Sequence, residues 1–166
     1  MKNNIILIGL PGCGKSTLGV QLAKAMGFAF LDSDISIQSK VGQTLQSLMD
    51  EHGYLALRQV EEDVLQDLHT SSTVIATGGS AVYSSKAMEH LKKQGTIVYL
   101  KVTPATILKR INNASTRGIA RAPEQTLDDV IAERLPLYEK YADITIGNET
   151  FIDSERVIER LMRSKR

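Results

Sequence analysis

The chain has 166 residues, of which 42% are hydrophobic and 23% are charged, and this predicts one globular domain over residues 1–166. Its 20 basic and 19 acidic residues leave a net charge of +1, which argues against a nucleic-acid partner or a polybasic membrane-binding patch. The single cysteine excludes an intrachain disulfide, and no apolar run or signal-peptide pattern suggests a membrane or export, so we expect a cytoplasmic monomer.

The order of apolar segments predicts the fold class. Continuous runs rich in Ile and Val predict strands at 4–8, 29–32, 73–77 and 96–101, and a weaker run predicts a fifth at 142–146. Helical spacing predicts helices at 15–26 and 55–68, while Thr103-Pro104 and Thr126 are typical helix starts. Strands that alternate with helices predict an α/β fold with a parallel sheet. The long polar stretch 112–125 is typical of a mobile or functional segment.

Residues 9–16 fit the phosphate-loop pattern G-x-x-x-x-G-K-[ST], directly after a predicted strand and at the start of a predicted helix. Glycines let successive N–H groups face an anion, and the helix N-terminus adds a positive dipole. Lys15 is expected to reach the outer phosphates and Ser16 to ligate Mg²⁺. The predicted nucleotide-binding residues are Gly12, Cys13, Gly14, Lys15, Ser16 and Thr17. The structural alternative is a glycine-rich turn that only precedes a helix; Cys13 either packs in the loop or adds redox sensitivity.

The phosphate loop alone does not define a function, because switches, motors and kinases share it. The chain has no N-K-x-D base-recognition motif and no long acidic-ended strand at the distance typical of motor ATPases. A chain of this length has room for a core and a lid, which favours an ATP-dependent small-molecule kinase. A nucleotide-binding module without catalysis is the alternative from another class.

The second predicted strand ends in two carboxylates, Asp32 and Asp34, whose i, i+2 spacing on a strand end would point both toward the carboxyl edge of the sheet. Ligands of open α/β folds bind at the carboxyl ends of the strands, so Asp32 is expected to hold a Mg²⁺-bound water and Asp34 a substrate hydroxyl. A helix N-cap before Ile35 is the structural alternative.

Two arginines are candidates for binding a small carboxylate through bidentate hydrogen bonds. Arg58 lies in a predicted helix, where the alternative is a weak pair with Glu61 or Glu62. Arg134 precedes a Leu-Pro pair that could direct it inward.

Together these residues resemble the shikimate kinase family. The matching segments, in family order, are 9–17, Phe30-x-Asp32-x-Asp34, Gly53 with Arg58 and Glu61, Ala76-Thr77-Gly78-Gly79, and 133–138 with Ala142-Asp143. The resemblance implies a P-loop three-layer sandwich, with a five-stranded parallel sheet flanked by helices, an acceptor-binding helical region near 33–62 and a mobile lid near 112–125. It also implies transfer of the ATP γ-phosphoryl group, with Mg²⁺, to the 3-hydroxyl of shikimate.

The resemblance also implies roles for single residues. The implied catalytic residues are Lys15, Asp34 and the lid residue Arg117, which also binds the nucleotide. The implied acceptor-binding residues are Asp34, Arg58, Gly78, Gly79, Ser80 and Arg134, with the two arginines on the acceptor carboxylate. The implied metal-binding residues are Ser16 and, through water, Asp32.

The chain departs from the family pattern at two places. Ser80 stands where the family usually has a third glycine, and Arg117 is followed by Gly118-Ile119-Ala120-Arg121 where the family usually continues Pro-Leu-Leu. Ser80 could therefore direct the enzyme to a different small hydroxy acid or hydroxy amino acid. Arg121 is the alternative to Arg117 as the residue that covers the phosphates.

Overall fold

The computed structural model describes residues 3–112, 119–150 and 154–164. The described strands are Asn4–Ile8 (β1), Ala29–Asp32 (β2), Thr73–Ala76 (β3), Gly95–Lys101 (β4) and Ile144–Gly147 (β5). The described helices are Lys15–Met26 (α1), Ser33–Val41 (α2), Leu45–His52 (α3), Tyr54–Gln66 (α4), Ser85–Gln94 (α5), Pro104–Asn112 (α6), Leu127–Tyr141 (α7) and Ser154–Ser164 (α8), with a 3₁₀ turn at Ala81–Tyr83. None of the helices in these three segments is long and apolar enough to cross a membrane.

The five strands form one parallel sheet in the order β2-β3-β1-β4-β5, which confirms the predicted fold class. Every residue of β1 is buried, because this strand lies at the centre of the sheet and helices cover both faces. Helix α1 packs on β1, β2 and β3, while α5 and α7 pack on β4. The chain moves to one side of β1 for β2 and β3 and to the other side for β4 and β5. This reversal opens a crevice at the carboxyl end of β1.

A second, smaller apolar cluster joins the helices that lie beside this crevice. Its buried members are Ile37, Leu48, Leu57, Val64 and Ala120. They come from α2, α3 and α4 and from the segment before α7, so residues far apart in the chain hold these helices together. The predicted helical region near 33–62 is therefore three helices with a core of their own.

Two local sequence signals correctly predict where helices begin. Thr126 and Asp129 form a reciprocal capping box at the start of α7, and Pro104 is the first residue of α6, both as predicted. The fifth strand begins at Ile144, two residues later than predicted. Ala142 still belongs to the end of α7, since its N–H donates to the carbonyl of Tyr138 at 3.1 Å.

Candidate active site

A cavity of about 480 Å³ lies at the carboxyl ends of β1, β2 and β3. Eleven of the residues predicted from the sequence line it: Gly12, Gly14, Lys15, Ser16, Thr17, Asp32, Asp34, Gly78, Gly79, Ser80 and Arg134. The phosphate loop forms one side of the cavity, and α2, α4 and the turn after β3 form the other. The sheet topology thus brings the predicted nucleotide and acceptor residues into one space.

The phosphate loop has the backbone shape that its glycines predict. Gly9 has φ 148°, and a Cβ there would lie 2.8 Å from the carbonyl oxygen of Leu100, so only glycine fits. The ammonium group of Lys15 donates to the carbonyls of Gly9 at 2.8 Å and Leu10 at 3.0 Å, which holds it over the loop. The side chain of Cys13 is fully buried, in agreement with a packing role. Its contact with a nucleotide stays a prediction.

Ser16 and Asp32 provide oxygen ligands of the kind that Mg²⁺ prefers. The Ser16 hydroxyl donates to Oδ2 of Asp32 at 2.7 Å, while Oδ1 of Asp32 accepts from the backbone N–H of Asp34 at 3.0 Å. Asp32 is therefore the N-cap of α2, as the structural alternative has it, and its role at a metal stays a prediction. Within the described residues no cluster of three or more His, Cys, Asp or Glu side chains could hold a metal. One hydroxyl and one carboxylate fit Mg²⁺ that is held largely by nucleotide phosphates and water.

Two carboxylates meet at Gly78. A Cβ on Gly78 would lie 2.2 Å from Oε1 of Glu61 and 2.9 Å from Oδ1 of Asp34. Gly78 therefore leaves room for these two carboxylates, and its φ is not in the left-handed region. Asp34 lies in the first turn of α2 rather than on a strand, so the helix, not an i, i+2 strand spacing, directs it into the cavity.

The pKa values of Asp34 and Glu61 are both raised above the usual range of a carboxyl group. Burial raises the pKa of Asp34, the nearby charge of Asp32 raises it further, and Lys15 acts in the opposite direction. Burial raises the pKa of Glu61 to about 7, Asp34 adds to this rise, and Ser80, Arg134 and Lys15 oppose it. Perturbed pKa values in a cleft are typical of functional sites.

Ser80 is buried in the wall of the cavity, and its hydroxyl donates a short hydrogen bond to Oε2 of Glu61. In the sequence, Glu61 stands out only as part of a motif and as a possible partner of Arg58. The structure instead pairs Glu61 with Ser80, 19 residues further along the chain. This contact could not be read from local sequence.

Arg134 lies almost wholly inside the protein, with 1% of its surface exposed. Its Nη2 donates to the carbonyl of Ala120 at 2.7 Å, and a Cβ on Gly79 would lie 2.8 Å from Nη1. The hydroxyl of Tyr138 donates to the carbonyl of Gly79 at 2.6 Å. Because Gly79 has no side chain, the guanidinium group of Arg134 can lie close to its backbone beside the cavity. The Nε of Arg134 has no hydrogen-bond partner among the described residues.

Arg58 lies next to the main cavity rather than in it. It lines a neighbouring cavity of about 380 Å³ together with Glu61, Ser80 and Tyr83. Its guanidinium carbon is 3.7 Å from the centre of the Tyr83 ring, and that of Arg134 is 5.4 Å from the same ring. The two arginines therefore converge on one aromatic side chain. The structural alternative, a pair of Arg58 with Glu61 or Glu62, is not among the ion pairs of the described residues, and Arg58 stacks on Tyr83 instead.

The lid is only partly described. Arg117 lies outside the described residues, while Arg121 is exposed and donates to the carbonyl of Gln125 at 3.4 Å. Ile119 and Ala120 reach the main cavity. Which arginine covers the phosphates stays a prediction.

A further residue of the site, Arg110 at the end of α6, is not predicted from the sequence. Its guanidinium lines the cavity and donates to the carbonyls of Gly12 at 3.2 Å, Asn148 at 3.1 Å and Glu149 at 2.9 Å. It thereby connects the phosphate loop to the segment after β5. No local pattern signals this role, because its partners are 98, 38 and 39 residues away.

The sheet order, the phosphate loop and the opposed carboxylates and arginine define a P-loop kinase with a small-molecule acceptor site. A family model described as shikimate kinase matches residues 11–165. The shikimate kinases of Paracidovorax citrulli and Vibrio campbellii are 37% and 38% identical over 151 residues, covering 88% and 89% of this chain and 82% and 88% of theirs. The structure of shikimate kinase from Acinetobacter baumannii in complex with shikimate is 34% identical, with a TM-score of 0.87 over 98% of this chain and 94% of that one.

The chain belongs to the shikimate kinase family. It is accordingly a phosphotransferase with an alcohol acceptor that uses ATP with Mg²⁺.

Proposed function

We propose that this protein transfers the γ-phosphoryl group of ATP to the 3-hydroxyl of shikimate, a step of aromatic amino-acid biosynthesis. The observation that carries the proposal is the single cavity in which the phosphate loop faces Asp34, Glu61 and Arg134. Membership of the family, together with the similarity to a structure described as a complex with shikimate, supports this acceptor.

On the donor side, we propose that backbone N–H groups of residues 12–17 and the ammonium group of Lys15 bind the ATP phosphates. Ser16 would ligate Mg²⁺, and Asp32 would hold one of its waters. The metal neutralises charge on the transferring phosphoryl group when it is bound. The contribution of the chain is positioning, because the loop and the start of helix α1 hold Lys15 and the backbone N–H groups around one point.

On the acceptor side, Asp34 would orient the attacking hydroxyl by accepting its hydrogen bond. The raised pKa of Asp34, caused first by burial, favours this role, because it makes the carboxylate a stronger proton acceptor once the hydroxyl loses its proton. The opposing effect of Lys15 helps keep the group ionised.

The acceptor carboxylate would bind to the two arginines. The Nε groups of Arg58 and Arg134 are buried and have no partner among the described residues, and each such donor costs about 1–3 kcal/mol if it stays unpaired. Both guanidinium groups approach the Tyr83 ring, so we propose that the acceptor carboxylate binds beside this ring, between the two cavities. Gly79 leaves the backbone open for this approach.

The remaining assignments extend the proposal. Arg117 would cover the phosphates from the lid and help exclude water, so that ATP is not hydrolysed. We propose a monomer in the cytoplasm that acts on a small acceptor and binds neither nucleic acid nor membranes, as the net charge of +1 suggests.

ADP release by the purified protein tests the acceptor. Shikimate should stimulate ADP release, whereas gluconate, homoserine and buffer alone should not. Stimulation only by another hydroxy acid or hydroxy amino acid would contradict the choice of shikimate. No stimulation by any acceptor would favour a nucleotide-binding module.

Arginine variants test the orientation of the acceptor. Arg58→Ala and Arg134→Ala should each raise the KM for shikimate at least about tenfold, the factor that corresponds to 1.4 kcal/mol, with ATP affinity unchanged. Arg163→Ala is a matched control on an exposed arginine of α8 that lines neither cavity. A fall in ATP affinity in the first two variants would contradict binding of the acceptor carboxylate by these arginines.

A further inference from the structure

The backbone conformation at position 80 does not determine which residue stands there. Its φ of −91° and ψ of −4° are in the right-handed region that any residue adopts. A glycine, the usual family residue at this position, is therefore not demanded by the backbone here. Ser80 is 8% exposed and Glu61 is 3% exposed, so the hydrogen bond between them lies out of bulk water.

The Glu61 carboxylate has two different oxygens. Oε2 accepts the hydrogen bond from Ser80. Oε1 is buried and has no hydrogen-bond partner among the described residues, and it lies against Gly78 on the same side as Asp34. A buried carboxylate oxygen without a donor is costly, and this one belongs to a residue that lines the main cavity.

We propose that Ser80 is a positioning residue of the acceptor site, whose hydroxyl holds the Glu61 carboxylate so that Oε1 accepts a hydrogen bond from an acceptor hydroxyl. This inference rests on the proposed function and refines it. Ser80 then acts on the acceptor through Glu61. A chain with glycine at this position lacks the hydroxyl that makes this contact.

The charges around Glu61 make its ionisation sensitive to Ser80. Asp34 of α2 favours the neutral form, whereas Lys15 of α1 and Arg134 of α7 favour the carboxylate. The other ionisable residues on the elements packed around Glu61 are Tyr54, Arg58, Glu62 and Asp63 on α4, Lys40 on α2, Asp50, Glu51 and His52 on α3, Tyr83 of the 3₁₀ turn, and Lys86, Glu89, His90, Lys92 and Lys93 on α5. Burial raises the pKa of Glu61 to about 7, and the hydrogen bond from Ser80 opposes that rise. Loss of the hydroxyl therefore moves the pKa further upward.

The pH dependence of kcat/KM for shikimate tests this coupling, because it reports the ionisation of the free enzyme. In the unchanged protein, kcat/KM should rise as the pH passes through about 7 and Glu61 becomes a carboxylate. In Ser80→Ala this rise should move upward by about one pH unit, so that about one-tenth of the enzyme is ionised at pH 7 instead of about half. The expected loss at pH 7 is about fivefold, with the KM for ATP unchanged.

Ser84→Ala is the matched control. Ser84 donates to Oε2 of Glu62 at 2.5 Å, so this variant breaks a serine–glutamate hydrogen bond between neighbouring elements. Neither residue lines the main cavity. Ser84 also caps α5, so the control should lower the Tm while the pH profile of kcat/KM stays that of the unchanged protein.

A Glu61→Gln variant separates positioning from packing. In Glu61→Gln, the rise of kcat/KM for shikimate near pH 7 should disappear. Adding Ser80→Ala to this variant should leave its pH profile unchanged. A shift of equal size in both backgrounds would contradict action through Glu61. An unchanged pH profile in Ser80→Ala would overturn the proposal while leaving the proposed function intact.

A measurement without turnover keeps the two proposals separate. Carbon-13 NMR titration of the Glu61 carboxyl carbon should give a pKa near 7 in the unchanged protein and a higher value in Ser80→Ala. Equal values would overturn the Ser80–Glu61 coupling even if shikimate proved not to be the acceptor.

Discussion

Alanine at Gly78 should damage the acceptor site more than the fold. The added Cβ would lie 2.2 Å from Oε1 of Glu61 and 2.9 Å from Oδ1 of Asp34. Neither distance is compatible with van der Waals contact. Glu61 is held by Ser80 and Asp34 lies in the first turn of α2, so the carboxylates or the turn after β3 must move.

The expected cost follows from overpacking of a buried site, about 1–3 kcal/mol. For a domain of this size, 1 kcal/mol changes the Tm by about 2–4 °C, so Gly78→Ala should lower the Tm by about 2–12 °C. Because Asp34 and Glu61 are the carboxylates proposed to bind acceptor hydroxyls, their displacement should raise the KM for shikimate at least about tenfold, since a hydrogen bond to a charged group contributes about 1.5–3 kcal/mol.

Thermal unfolding and steady-state kinetics measure both effects. Gly147→Ala is the control, because a Cβ there would meet nothing within 4 Å and Gly147 lies exposed at the end of β5. It should retain its Tm and its KM. A Gly78→Ala enzyme with an unchanged Tm and an unchanged KM for shikimate would refute the packing of Glu61 and Asp34 against this glycine.

Three further changes test separate parts of the site and fold. Asp34→Asn should lower kcat by about 10²–10⁴ without a loss of Tm, because burial disfavours the charged form; a normal kcat would contradict its role toward the hydroxyl. Ser16→Ala should weaken Mg²⁺-dependent ATP binding about tenfold in calorimetry while shikimate binding is retained, and an unchanged Mg²⁺ dependence would exclude Ser16 as a ligand. Thr126→Ala removes the cap of α7 and should lower the Tm by about 2–4 °C with KM unchanged, whereas an altered KM at an unchanged Tm would argue against a purely structural role.

Much of the fold was predictable because its signals are local. Helix α1 begins and ends where its glycines lie, the capping box at Thr126 has the expected geometry, and four of the five strands lie within a residue of their predicted ends. Continuous apolar runs indicate strands buried on both faces, and this alone predicts a parallel sheet. The weakest apolar run predicted the fifth strand at 142–146. The observed strand begins at Ile144, so the predicted start is wrong by two residues.

The donor half of the site could also be predicted from the sequence, because its signal is local. The phosphate loop is one short segment, and its geometry depends on its own glycines and on the helix that follows. The acceptor half is assembled from α2, α4, α7 and the turn after β3. Its residues could be named from a family pattern, but the contacts among them could not.

Local sequence patterns and the family resemblance therefore predict the phosphate loop, the class of fold and most residues that line the cavity. The contacts of Gly78 with Glu61 and Asp34, of Arg58 with Tyr83 and of Ser80 with Glu61 depend on how the helices and turns pack. Backbone propensity and capping act within a few residues, whereas these contacts join helices and turns that meet only when the sheet has formed.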